Sequence, residues 1–339
     1  MTAWNPHEYS NREVDKAVRM LSDKGISQVE YLKYVKIFDD WRSSYVYPLL
    51  SMHIYTRKKA IKIEDKCIVS QRLKRKESIF AKIARIPDMR ASRMQDIGGC
   101  RVVFKSIDSV YKLRNALRNS RRKHILQNEK DYIQSPKESG YRGIHMVYKY
   151  VGKANTSNNI LIETQIRTHL QHLWATSVET TGFFTQNPLK SSIGSNEWLR
   201  FFCLVSSLFA IEEKQPIVPG TPLKREDIIS EIKSLENQYH LFDQLRAYNV
   251  AARHITNNNK AYYYVLVLKF NEQLLSITPF PKNQIKEATE MYNNYENADA
   301  DNNVVLVSAD SISALKKAYP NYFMNTKEFV DVLERMLAL

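Results

Sequence analysis

Apolar and polar positions along the chain change period several times, and each change marks a new element. Over residues 8–24 and 27–60 the apolar positions recur at helical spacing. Behind a Ser27 N-cap, Tyr31, Leu32, Tyr34, Val35, Ile37 and Phe38 build one such run. RLKRKESIFAKIAR (72–85) keeps the helical period, GCRVVF (99–104) reads as a strand, and 107–122 reads as a very basic helix. IHMVYKYV (144–151) and NILIETQI (159–166) are β-rich runs joined by a polar Gly/Asn turn, which predicts a hairpin. Helices are expected again over 168–181 and 196–213. QPIVPGTP (215–222) then interrupts the pattern with two prolines and a glycine. Beyond it the spacing predicts a helix over 224–253, a hairpin of 262–270 and 273–280 turning at Asn271-Glu272, and a helix over 283–297. A strand at 303–310 and helices near 311–318 and 326–338 complete the chain. Helices and strands mixed around one sheet predict an α+β fold. Three units are expected: N-terminal helices (1–60), a central unit (61–215) and a second, small α/β C-terminal domain (223–339).

Composition narrows the class. The 339 residues suffice for two domains, and 43% hydrophobic residues suffice for their cores. No apolar run reaches the ~18 residues of a membrane span. The N-terminus lacks the basic-then-apolar layout of a signal peptide, so a cytoplasmic location with no membrane partner is expected. Cys67, Cys100 and Cys203 stand far apart, which argues against both a disulfide framework and a structural zinc. The net charge of +14 points to an anionic partner. That charge is uneven: residues 221–339 hold 13 Lys and Arg against 15 Asp and Glu, whereas the first 220 hold 37 against 21.

Four stretches carry candidate chemistry. On a helix over 72–85, Lys74, Ser78 and Lys82 share one stripe, pinned by the buried stripe of Ile79 and Ile83. Such a row suits a triphosphate, and Arg72 at the helix start suits stacking on a base; a solvated basic face is the other reading. Asp96, ahead of Gly98-Gly99 and a strand, is placed to hold Mg²⁺, or is simply a turn residue. The GGC run matches neither a Walker A loop nor a dinucleotide fingerprint. PKESGYRGIH (136–145) clusters Lys137, Tyr141, Arg142 and His145 in one loop, offering a stacking ring among cations, or an aromatic packed on the sheet. IETQIRT (162–168) puts Glu163, Gln165 and Arg167 on one strand face, with Glu163 a second metal carboxylate or general base; a plainly polar exposed face is the alternative.

Together RLKRKESIFAK, DIGGCRVVF, DYIQSPKESGYRGIH and IETQIRTHLQHLWAT make residues 60–215 resemble the RelA/SpoT nucleotide pyrophosphokinases, the alarmone synthetases. The resemblance implies a nucleotidyltransferase-like mixed sheet flanked by helices. It also implies transfer of the β,γ-pyrophosphate of ATP to a ribose 3′-hydroxyl, with Mg²⁺ as cofactor. Carried onto this chain, it implies Arg72 and Arg101 on the adenine, and Lys74, Ser78 and Lys82 on the ATP phosphates. Asp96 and Glu163 would serve as the catalytic and metal carboxylates. Lys137, Tyr141, His145, Gln165 and His172 would surround the acceptor. The paired His-Asp motif of the family's hydrolase half is absent, which implies a synthetase-only protein.

Two departures bear on the acceptor. Small alarmone synthetases carry Asn-Phe-Trp-Ala-Thr and then Glu-His; this chain has His172-Leu173-Trp174-Ala175-Thr176 and then Glu179-Thr180. The family's Asn belongs to the guanine pocket, so GDP or GTP is disfavoured here. KLRNALRNSRRK (112–123) holds six cations and no acid, and its Arg118, Arg121 and Arg122 are expected to contact RNA. The chain is thus similar to the toxic small alarmone synthetases that modify the 3′-terminal adenosine of tRNA. Its loop and C-terminal extension are similar to CapRel-like fused toxin–antitoxin members, which implies a regulatory C-terminal region sensing a phage or other protein trigger. Synthesis of (p)ppGpp from GDP or GTP, and a non-enzymatic RNA-binding module, are the alternatives.

Overall fold

The computed structural model describes residues 8–22, 25–121, 123–152, 160–185, 189, 193–247, 252–255, 261–269, 274–298, 302–309, 312–319, 323 and 326–338. Helices α1 (Asn11–Leu21), α2 (Gln28–Ser43) and α3 (Val46–Ile63) come first. The first two begin with full capping boxes, Ser10 with Glu13 and Ser27 with Glu30. The single helix expected over 27–60 is broken at Ser44-Tyr45, because Pro48 in the first turn of α3 has no N–H to give the preceding turn.

Strand β1 (Ile68–Leu73), helix α4 (Lys76–Arg85), a 3₁₀ turn (Ala91–Arg93), β2 (Gly98–Phe104) and α5 (Ile107–Arg118) follow. After them come β3 (Ile125–Asp131), β4 (Ile144–Lys149), β5 (Leu161–Thr168), α6 (His169–Phe184) and α7 (Asn196–Glu212). The hairpin expected from residues 144–166 is present as antiparallel β4 and β5. Strand β1 lies where the sequence reading began a helix; its IVSQRL run pairs with β2 on one side and β9 on the other. Arg72 is therefore a strand residue and Lys74 precedes α4, so Lys74, Ser78 and Lys82 do not form one helical stripe.

The C-terminal α/β region contains α8 (Arg225–Tyr239), α9 (Leu241–Ala247), β6 (Ala252–Ile255), β7 (Ala261–Lys269) and β8 (Leu274–Pro281). Helix α10 (Ile285–Ala298), β9 (Asn302–Ser308), α11 (Ile312–Ala318) and α12 (Lys327–Ala338) complete it. The long helix expected over 224–253 is divided at His240, which adopts a left-handed conformation, φ 51°. The second hairpin pairs as expected, and its Asn271-Glu272 turn lies outside the described residues.

All nine described strands join one mixed sheet in the order β3-β4-β5-β2-β1-β9-β7-β8-β6. One face is apolar: Leu73, Cys100, Val102, Ile162, Met146 and Tyr148 pack with α1, α2, α3 and α5. Across the seam, the α10 side of β7 and β9 continues this layer through Val265, Val304 and Tyr292. On the other face α11 covers β7 and β9, while α6, α7, α8, α9 and α12 build a separate core around Trp174, Phe202 and Phe329. The C-terminal strands thus extend the central sheet, and its helices share a core with α6 and α7.

Candidate active site

The second face of the central strands is polar because the strand registers line polar residues up. Arg72 stands opposite Gly99, which stands opposite Glu163. One row further, Ser70, Arg101, Gln165 and His145 are successive partners across β1, β2, β5 and β4. Arg72, Lys74, Asp96, Arg101, Glu163 and Gln165 line a single cavity of about 110 Å³.

At its entrance Asp96 accepts from two lysines, Lys74 Nζ at 2.9 Å and Lys82 Nζ at 2.9 Å. Burial works to raise the Asp96 pKa, but the two ammonium charges outweigh it and bring it down to about 2. Burial lowers the Lys74 pKa against the pull of that carboxylate. Ser78 sits one turn ahead of Lys82 on α4.

A second chain of contacts fixes Glu163. Its Oε1 meets His145 Nδ1 at 2.6 Å and its Oε2 accepts from Gln165 Nε2 at 2.6 Å. The far nitrogen of His145 meets the Tyr141 hydroxyl, which also accepts from Arg167. Burial disfavours charge on His145, yet the Tyr141 and Glu163 oxygens around it raise its pKa to about 9. Glu163 is deeply buried, and its bonds from His145 and Gln165 still hold it below the ordinary carboxylate value. For Tyr141, burial is outweighed by Arg167 and His145, which lower its phenol to about 7.

The 140–143 loop explains its glycines. At Gly140, φ +88°, a Cβ would lie 2.9 Å from Trp174; at Gly143, φ +141°, it would lie 3.1 Å from Arg167. Tyr141 is thereby sunk to 8% exposure, beside Tyr132 and Trp174, with Lys137 and Arg167 over its ring. It is a packed ring rather than an open stacking platform. Arg142 is buried too, donating to Ser206 and to the carbonyl of Ile133.

Two other expectations are corrected. His172 does not line the cavity: it is buried on α6 with Nε2 3.1 Å from the Lys317 carbonyl, at the end of α11. Burial, with Arg101 and Arg167 near it, keeps its pKa well below the ordinary value, so the ring is neutral and Nε2–H donates. Arg118 and Arg121 lie at and just beyond the end of α5, which covers the opposite, apolar face through Val110, Leu113 and Leu117. Arg118 and its neighbour Arg114 are drawn to Glu129. Arg122 lies outside the described residues. Conversely, the sequence reading missed Tyr319, which lines the cavity and donates to the Gln71 carbonyl at 2.7 Å. It follows a short helix some 220 residues beyond Asp96, with no local pattern to reveal it.

Asp96 and Glu163 line one cavity, and the charge of Asp96 acts on Glu163. Among the described residues no cluster of three or more His, Cys, Asp or Glu is assembled for a metal. Two carboxylates without a third protein ligand fit Mg²⁺, which takes its remaining oxygens from substrate phosphates and water.

Cations are ranged against two carboxylates along this cleft. Among the described residues, the buried guanidinium nitrogens Arg101 Nε and Arg167 Nε and Nη1 have no hydrogen-bond partner. Residues 71–184 match the family described as the region found in RelA / SpoT proteins. Among curated proteins, the chain is 35% identical over 111 residues to GTP pyrophosphokinase YjbM of Bacillus subtilis, covering 32% of this chain and 52% of that protein. It is 27% identical over 169 residues to GTP pyrophosphokinase YwaC of the same organism, covering 45% and 79%. The chain thus spans about half the length of YjbM. Among solved structures, a GTP pyrophosphokinase family protein from Streptococcus pneumoniae shares 27% identity at a TM-score of 0.43, covering 50% of this chain and 86% of that one.

Proposed function

We propose that the chain is an ATP-dependent pyrophosphotransferase acting on a ribose 3′-hydroxyl, with the 3′-terminal adenosine of tRNA as acceptor. The observation that carries this reading is the single sheet face on which Arg72, Lys74 and Arg101 meet Asp96 and Glu163. The acceptor 3′-oxygen bonds to the β-phosphorus of ATP, the bond from that phosphorus to the α,β-bridging oxygen breaks, and AMP leaves. Lys74 and Lys82, already paired to Asp96, take the triphosphate oxygens, and Arg72 and Arg101 hold the adenosine end. Glu163, kept ionised by His145 and Gln165, orients the attacking hydroxyl and receives its proton. Mg²⁺ held by Asp96 and Glu163 would neutralise charge on the transferred phosphates.

Loss of the guanine-pocket Asn supports tRNA: His172 takes its place, turned to the Lys317 carbonyl. The names of YjbM and YwaC favour the second reading, GDP or GTP as acceptor. Incubation with ATP labelled in the γ-phosphate, plus GDP, GTP and bulk tRNA, separates the two. Label in tRNA supports the first reading, and label confined to guanine nucleotide overturns it.

Residues 223–339 act, in this reading, as a regulatory region that opens when a phage or other protein trigger binds, in a toxin that stops translation in the cytoplasm. Two facts support closure: Tyr319 lies in the cleft, and the cleft's 110 Å³ is below the ~300–1,000 Å³ of ligand-sized pockets. No described helix is long and apolar enough to cross a membrane.

A further inference from the structure

A cavity far larger than the cleft lies beside it. It is an open groove of about 1100 Å³ between α1, the 90–95 segment and the ends of β4 and β5. Three separate elements supply its cations: Arg12, Lys16 and Arg19 from α1, Arg90 and Arg93 from the 3₁₀ turn, and Lys149 from β4. The three on α1 fall at i, i+4 and i+7, hence on one stripe. The helix is held rigid behind them, with Val14, Ala17 and Val18 fully buried and a capping box at its start. Asp15 is the groove's one acid, and it is engaged by Ser92, whose backbone N–H and hydroxyl donate to it at 2.9 and 2.8 Å. That pair of bonds clips the cationic turn onto the cationic helix. None of the six cations makes an ion pair among the described residues, whereas Lys74, Lys82, Arg42 and Arg114 all do.

The groove's lining adjoins that of the candidate active site along β4 and β5. Lys149 and Leu161 are direct partners on β4 and β5, on the same face as His145 and Glu163 of those strands. At strand spacing, Leu161 lies ~7 Å from Glu163 and Lys149 ~13 Å from His145. Gln95, also in the lining, is followed directly by Asp96. The groove thus opens towards the acceptor side of the cleft.

Size and lining choose the ligand. A nucleoside polyphosphate has its charge in one cluster, for which the cleft already supplies cations. Six more, spread over an open groove, suit a chain of phosphodiesters. No aromatic side chain lines it, so bases find nothing to stack on and the grip is on the backbone alone. We propose that this groove is the docking track for the phosphodiester backbone of an RNA whose 3′ end enters the cleft. The proposal rests on the reading of tRNA as acceptor, and it moves the RNA contact from α5 to α1.

The test uses the full chain carrying Arg12→Glu, Lys16→Glu and Arg19→Glu together, and separately Arg90→Gln with Arg93→Gln. Fluorescent bulk tRNA is titrated across a range of salt, and thermal melting checks that each variant is folded. The α1 variant is expected to bind tRNA at least ~10-fold more weakly, with the slope of log K against log salt reduced by about 2 to 3. The turn variant should show a smaller change of the same sign. Wild-type affinity and slope in both folded variants would overturn the proposal, as would competition for the groove by ATP or GDP at concentrations that fill the cleft. If tRNA binds through the groove yet never accepts label, the acceptor reading falls and the groove stands. If tRNA is labelled while both variants bind it like wild type, the groove falls and the acceptor reading stands.

Discussion

Each carboxylate of the cleft is already held by named partners, and that decides what single substitutions do. Asp96→Asn removes the charge between Lys74 and Lys82, and Glu163→Gln removes the charge between His145 and Gln165 and leaves one acceptor oxygen where there were two. Each should slow pyrophosphate transfer ~10²–10⁴-fold, read as label transferred per minute, while the circular-dichroism spectrum stays native. Near-wild-type turnover in either would remove that residue from the chemistry. His145 leads to a pH effect. Its pKa is raised to about 9 from the ordinary 6.5, so its share of stability is fully present below about pH 6.5 and fades as pH rises through about 9. Tyr141, lowered to about 7, gains stability over the same window and opposes this loss, so the His145 share is read in a Tyr141→Phe background. There the urea midpoint should fall between pH 6.5 and 9.5, and His145→Gln should flatten that fall. An unchanged slope in the variant would show that the imidazolium is not the source.

Among the elements, α4 depends most on a distant partner. Its N-cap residue Arg75 makes no side-chain cap bond, and the first helical N–H, that of Lys76, instead donates to Glu296 of α10 at 2.9 Å. The other oxygen of Glu296 pairs with Arg42 of α2 at 2.6 Å, with both side chains 2% exposed, and Tyr292 also donates to this carboxylate. Glu296→Ala would strand a buried guanidinium and uncap the helix that carries Ser78 and Lys82. A loss of about 3–5 kcal/mol is expected from denaturant unfolding, with a raised KM for ATP. Replacing Arg42 and Glu296 together with leucines should cost much less stability, since no charge is then left buried alone. Equal losses in the single and double variants would show that the pair does not act as a unit.

For the whole molecule, the shared cores decide how the C-terminal region can be probed. Truncation after Lys214 would strip Ile228, Ile232, Phe242, Phe329 and Leu333 from the α6–α7 core and β9 from the edge of β1. The fragment is expected to aggregate, as measured by light scattering; a soluble, folded fragment would contradict the shared core. Point substitution is the cleaner probe of closure. Tyr319→Ala removes the ring from the cleft and the bond to the Gln71 carbonyl while leaving the α6–α7 core intact. It should increase ATP binding several-fold in calorimetry, and unchanged or weaker binding would argue against Tyr319 as a barrier.

Much of this was legible along the chain. The 144–166 hairpin, the helices of 168–213 and the alternation of Glu163, Gln165 and Arg167 are local patterns, set by β-propensity, capping and a period of two. The glycines around Tyr141 likewise announced a constrained loop. Strand β3 escaped notice because ILQNEKD is an exposed, polar edge with little alternation, and β1 because its IVSQRL run flows into a helical one without a breaker. What no local pattern holds is decided by contacts between distant residues. The registers that bring Arg72, Arg101, Glu163 and His145 into two rows, and the Lys317 carbonyl that claims His172, belong to that kind. So do the Glu296 cap on α4, Tyr319 in the cleft, and a groove built from α1, a 3₁₀ turn and a strand end. The sequence by itself determined which residues could carry charge and chemistry; only the packing of the sheet and its helices determined which of them face one another, because register and burial are properties of pairs.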